Sequence, residues 1–177
     1  VDFLDRYDAS RPFYLQIGII NPHDICHYQH NHEHKTIPGP IEQGVVPPDD
    51  LPPLPKNFVY DESETLVQQV FRRGDRPLIH PAIQNGIRDW TELQWRFMAW
   101  NHHRFVEAAD DHIGLILNAL ENSRFRDSTL LIFSVDHGEA NGSHRTFQKL
   151  ALYEESIRVP FIVASLGDQL EVSKGVF

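Results

Sequence analysis

Three apolar runs of strand length, at 13–20, 129–135 and 159–164, limit what this chain can fold into more than any other feature. Apolar residues follow one another there rather than alternating with polar ones, so each run predicts a strand covered on both faces. The first is bounded by Pro12 and Pro22, which suit strand ends. A long helical pattern separates it from the second. Asp89 with Glu92 resembles a capping box, and Leu93, Phe97 and Trp100 then mark one face. Phe105, Ala109, Ile113, Leu117 and Leu120 carry that face onward at helical steps, with room for a break at 101–103. A shorter helix is predicted over 63–72, closed by Gly74 and Pro77. Buried strands spaced by helices predict an α/β fold, a mostly parallel sheet covered by helices.

Five of the 11 histidines, at 23, 27, 30, 32 and 34, follow the first run, and seven of the 12 prolines lie within 36–58. Proline at that density removes backbone donors and forces extended chain, so 35–60 reads as a long surface loop. No internal repeat or domain boundary is visible, and 177 residues suffice for one globular core. Lys and Arg number 16 against 25 Asp and Glu, a net charge of −9, which argues against a nucleic-acid partner because such modules show a dense basic face. No apolar run approaches the ~18 residues of a membrane helix. The one cysteine, Cys26, leaves no internal disulfide and no multi-cysteine zinc module.

Ligands of open α/β sheets bind just beyond the carboxyl ends of strands. Two of the apolar runs end in polar clusters there. The first runs into Asn21-Pro22-His23-Asp24, the second into Asp136-His137-Gly138-Glu139 and on to Gly142-Ser143-His144. Asp136 and His137 offer an oxygen and a nitrogen donor aimed into one crevice, with Gly138 permitting a tight turn. A plainer reading is open beside it, in which Asp136 caps the turn and His137 is a surface side chain.

The run 129–139, the Gly-x-His element, Lys149 and the stretch Leu152-Tyr-Glu-Glu-Ser-Ile-Arg-Val-Pro-Phe-Ile closely resemble the central part of type I sulfatases, of the alkaline-phosphatase-like superfamily. Arg11-Pro-Phe-Tyr-Leu with Asn-Pro-His23-Asp matches a second landmark, and Ala109-Asp-Asp-His-Ile-Gly-Leu-Ile-Leu fits the long helix before the metal strand. The resemblance implies an alkaline-phosphatase-like partial domain, with residues 1–177 its central segment. It implies that Asp136 and His137 are ligands of one divalent cation, calcium or magnesium. Lys149 would contact the sulfate group, His23 would face the bridging oxygen, and His144 would lie beside the substrate. The implied substrate is a sulfate ester, a sugar sulfate among the choices, and the implied address is extracytoplasmic. Family catalysis uses a formylglycine made within a Cys/Ser-x-Pro-x-Arg motif, which this chain does not contain. Completing the domain therefore calls for the rest of a parent chain, and residues 1–177 alone are expected to be inactive.

Other readings compete. A metal-dependent phosphoesterase or phosphomutase of the same superfamily also places Asp-His-Gly after a strand. A non-catalytic metal-binding protein is a third choice, with Cys26, His30, His32 and His34 as transition-metal donors, although their spacing matches no closed zinc pattern. Asp110, Asp111 and His112 point in different directions on a helix and so share no ion. Trp90, Trp95 and Trp100 read as packing residues.

Overall fold

The computed structural model describes residues 2–25, 46–73, 90–149 and 151–167. Helix α1 spans Asp2–Arg6, α2 Leu66–Arg73 and α3 Glu92–Glu121; strand β1 is Leu130–Ser134, the single turn α4 Glu154–Ile157, and strand β2 Phe161–Ser165. The chain divides into two compact units, one of Val1–Ile19, Ala109–Asp136 and Val159–Phe177, the other of Ile20–Ala108 and His137–Arg158. Cys26 and the histidines at 27, 30, 32 and 34 lie outside the described residues.

Both longer helices begin at a reciprocal box built on threonine. Gln68 N–H donates to Thr65 Oγ1 (3.4 Å) while Thr65 N–H donates to Gln68 Oε1 (3.0 Å). At α3 the same pair of bonds joins Thr91 and Gln94, at 3.3 and 2.8 Å. Each box satisfies amides that a helix start leaves unpaired. The box of α3 is thus built by Thr91 and Gln94; Asp89, of the Asp89/Glu92 pair that the spacing suggests, lies outside the described residues. Helix α3 is continuous through 101–103.

Its buried stripe also differs from the expected one. Trp95, Met98, His102, Phe105 and Ala109 are buried, whereas Leu93 is 47% exposed. Two polar residues, Asn101 and His102, belong to the buried side, and a search for apolar residues alone passes over them. Asp110, Asp111 and His112 are all exposed.

In the first unit, Phe13 and Phe125 meet edge to face at 5.2 Å, and Phe3 and Tyr7 close around Phe13 at 5.2 and 5.5 Å. Such edge-on geometry sets the positive rim of one ring against the negative face of the next. Strands β1 and β2 pair antiparallel, with Ile132 opposite Val163. The mostly parallel sheet expected from the apolar runs is therefore not what the described residues form. A parallel partner would need a crossover passing over the sheet, but among the described residues the connection 135–160 holds only one helical turn and a 3-10 turn at Ser143–Arg145. The run 13–20 forms no strand, and Tyr14 is 86% and Ile20 73% exposed.

In the second unit the described part of the proline-rich segment, 46–60, has a single 3-10 turn, Pro48–Asp50. Prolines have no N–H to offer nearby carbonyls, and Arg96 of α3 gathers three carbonyls of this segment, one of which, Pro48 O, also accepts from Leu51 N–H at 3.3 Å. Its Nε donates to Pro52 O at 2.9 Å, and its Nη2 to Pro48 O and Leu51 O at 2.9 and 2.7 Å. Trp95 and Phe147 form one core with Leu54, Phe58 and Trp90 against them, and Ile25, Met98 and Phe105 form another. Trp90 and Trp95 are thus packing residues, while Trp100 stacks on Phe97 at 5.9 Å.

His102 ties α3 to the loop after β1. Asn141 Nδ2 donates to His102 Nδ1 across 3.0 Å, which requires the neutral ring. Burial, helped by the charge of His103, holds its pKa at about 4 against an ordinary 6.5. Between those values the unfolded chain binds a proton that the folded chain refuses, so stability falls as pH drops through that window and levels off below it. The contribution is about 3 kcal/mol. Urea unfolding midpoints measured against pH are expected to show this loss, and His102→Gln is expected to flatten it. An unchanged slope in that variant would refute the assignment.

Candidate active site

The segment 137–149 folds back on itself through its own backbone. Ala140 N–H donates to Gln148 O (3.1 Å), Gly142 N–H to Thr146 O (2.9 Å) and Ser143 N–H to Ala140 O (2.8 Å). Asn141, His144, Arg145 and Gln148 all take positive φ, between 47° and 65°. Side-chain-bearing residues adopt that region only where surrounding contacts enforce it. Gly138 is required for a different reason than a turn. Its N–H donates to Ser156 O at 2.8 Å, and a Cβ there would stand 1.9 Å from the Glu155 carbonyl oxygen.

This folding delivers Lys149 to His23. The turn at Asn21-Pro22, with a cis peptide bond, is closed by His23 N–H donating to Ile20 O at 3.0 Å. Lys149 Nζ then lies 3.1 Å from His23 Nδ1, although 126 positions separate the two residues. An ammonium only donates. His23 Nδ1 is consequently the acceptor, and its neutral ring carries the proton on Nε2.

Glu139 joins this group without a role foreseen from the sequence. One carboxylate oxygen accepts the amide N–H of Gln148, the residue before Lys149. Burial pushes its carboxyl above the ordinary value, opposed by the amides of Gln148 and Asn141 and by the charges of Lys149 and His137. Its only signal in the sequence is its place directly after Asp-His-Gly.

His144 is surrounded differently. Its Nδ1 lies 3.8 Å from Glu64 Oε1 and its Nε2 3.6 Å from Glu155 Oε2. Its ring stacks on Tyr153 at 3.9 Å, and Asn57 donates to both Glu155 (2.7 Å) and His144 Nε2 (3.3 Å). Burial works to raise the Glu155 carboxyl, but hydrogen bonds from its own backbone N–H, Asn57 and Ser143, with the His144 charge, outweigh it and leave the carboxyl below its ordinary value. The structure thus brings His23 and Lys149 together and sets His144 in a cluster of its own. Asn57 and Glu64 lie some 80 residues from their partner, and no spacing in the sequence connects them.

Among the described residues, no three His, Cys, Asp or Glu side chains gather as a metal-binding group. The donor chemistry of Asp136 and His137 still suits part of a divalent site. Asp136 is an exposed carboxylate. His137 Nδ1 donates to Gly138 O at 2.9 Å, the kind of bond that orients a ligating imidazole and makes Nε2 its lone-pair nitrogen.

The sequence profile of the Sulfatase family matches residues 1–176. An arylsulfatase of Clostridium perfringens is 29% identical over 176 residues, covering 99% of this chain and 32% of the relative. A Delta 4,5-hexuronate-2-O-sulfatase of Bacteroides thetaiotaomicron is 28% identical over 166 residues, 89% of this chain and 31% of the relative. The solved structure of a 2-O GAG sulfatase superposes with a TM-score of 0.61 at 27% identity, covering 82% of this chain and 29% of its own. The chain spans about a third of the length of these relatives. It belongs to the sulfatase family, within the alkaline-phosphatase-like superfamily.

Proposed function

We propose that this chain contributes the sulfate-binding and proton-donating part of a sulfuric ester hydrolase. The observation that carries the reading is the Lys149–His23 contact. A sulfate ester is an anion, and more negative charge gathers on the sulfuryl and leaving oxygens as the S–O bond breaks. Lys149 places a fixed cation beside the first set of oxygens. His23 presents its Nε2–H to the second; that proton passes to the departing alkoxide as the S–O bond opens while Nδ1 takes one from the Lys149 ammonium, so the ring stays neutral. The Lys149 bond to Nδ1 keeps the ring in the tautomer that can make this donation.

Asp136 and His137 would hold the divalent cation of the family, calcium or magnesium, as two of its donors. When bound, the cation supplies further positive charge to the sulfuryl oxygens. Calcium takes six to eight oxygens in most sites, so one imidazole makes this a mixed donor set. The family's formylglycine nucleophile would come from sequence beyond residues 1–177. A sugar sulfate is the favoured substrate class, because two of the relatives are named for hexuronate and GAG sulfate.

Assays of the complete enzyme on sulfate esters test this. Lys149→Ala is expected to lower kcat/KM by about 10²–10³. His23→Ala is expected to lower it by about 10²–10⁴, more for a sugar sulfate than for 4-nitrophenyl sulfate, whose activated leaving group needs little protonation. Near-normal turnover in either variant, or a preference for phosphate esters, would overturn the reading. Isothermal titration with calcium is expected to show Asp136→Ala binding at least about tenfold more weakly, and unchanged affinity would remove Asp136 from the ligand set.

A further inference from the structure

Glu139 sits between the two groups to which the sulfatase reading gives chemistry, yet it touches neither substrate oxygen in that reading. Its side chain spans nine positions to accept the Gln148 amide. Gln148 O in turn accepts from Ala140 N–H at 3.1 Å, so residues 139 and 140 grip both sides of the same residue. Gln148 holds φ at 65°, a conformation costly for a side-chain-bearing residue unless contacts fix it. The next residue is Lys149, whose ammonium meets His23 Nδ1. A flexible four-carbon stem leaves a lysine poorly placed by itself. Here its backbone is set by the grip on residue 148.

We infer that Glu139 is a positioning residue that holds Lys149 against His23 by accepting the Gln148 amide. The inference rests on the sulfatase reading for its kinetic consequence but not for its structural one. Glu139 acts through Lys149, so its effect on turnover disappears once the lysine is gone. A residue that merely stabilises the loop would instead lower the melting temperature and leave the tautomer of His23 and the lysine-dependent rate unchanged.

The test uses the complete enzyme with ¹⁵N-labelled histidine, the His23 signal being assigned by its loss in His23→Ala. The parent protein is expected to show His23 protonated on Nε2 with Nδ1 accepting. Glu139→Ala is expected to lose that preference as Lys149→Ala does, and Glu139→Gln, which keeps an acceptor oxygen, is expected to retain it. On 4-nitrophenyl sulfate, kcat/KM is expected to fall by about tenfold to a hundredfold in Glu139→Ala, to stay within about threefold in Glu139→Gln, and to fall less than about twofold further when Glu139→Ala is added to Lys149→Ala. If Glu139→Ala does not fold, Glu139→Asp, shortened by one methylene, is expected to show an intermediate loss of the tautomer. A His23 signal unchanged in Glu139→Ala, or in Glu139→Asp, overturns the inference. So does a Glu139→Gln variant as impaired as Glu139→Ala, or additive losses in the double variant. A parent enzyme inactive on sulfate esters whose His23 tautomer nevertheless follows Glu139 sinks the sulfatase reading and leaves the positioning role standing.

Discussion

The candidate site depends on one close approach of backbone to backbone. Gly138 N–H donates to Ser156 O, and its α-carbon leaves no room for a side chain beside the Glu155 carbonyl. With that contact made, the segment 137–149 has both ends held, and its interior is forced into a run of positive φ angles. Such conformations cost of order 1–3 kcal/mol each, which the surrounding hydrogen bonds must offset. Asn57 O accepting from His144 N–H, Asn141 meeting His102 and Glu139 meeting Gln148 provide those bonds. The result is a short loop whose side chains have little freedom left to lose, and in the proposed function preorganisation of that kind makes electrostatic stabilisation effective.

Much of this was legible in the sequence, and the failures have identifiable physical causes. Helix α3 announces itself because thirty residues of helical periodicity leave few alternatives. Its buried stripe was misplaced in the first half because it includes two polar residues, Asn101, whose Nδ2 donates to Phe97 O one turn back at 2.7 Å, and His102, which meets Asn141. The apolar runs at β1 and β2 were correctly read as strands, but not their direction. Apolarity reports that a segment seeks cover, whereas direction depends on the path of the connection, and 135–160 carries no helical crossover. The run 13–20 shows the same limit. A strand exists only where a neighbour offers its own amides and carbonyls, and no composition of one segment reveals that neighbour.

The site was legible to the extent that it is written in adjacent residues. Asp136, His137 and Gly138 form a visible motif, and the resemblance carried His23 and Lys149 with it. The pairing of those two across 126 positions was an expectation of family likeness, since spacing says nothing about contacts at that distance. Glu139 was on view throughout, yet a carboxylate in a loop reads by default as solvated. Its burial and the Gln148 amide donated to it distinguish it.

His144 shows why charge, not residue type, decides what a histidine does. An imidazole near an anionic substrate suggests a cationic contact, and Gly-x-His after a metal-type strand end encourages that view. In the fold, Glu64 and Glu155 flank the ring on both nitrogens and Tyr153 covers its face. Two carboxylates at that range exceed any positive charge one imidazole can carry, so the cluster as a whole presents no net positive charge to a sulfate. Tyr153 also donates its hydroxyl to Glu64, and Asn57 bridges Glu155 and His144, so the cluster ties segments 57–64, 144 and 153–155 to one another. In the proposed function, anion selection then falls to Lys149. Its ammonium is turned to a neutral imidazole rather than to a carboxylate, which leaves its charge uncompensated by that partner and available to an incoming sulfuryl oxygen.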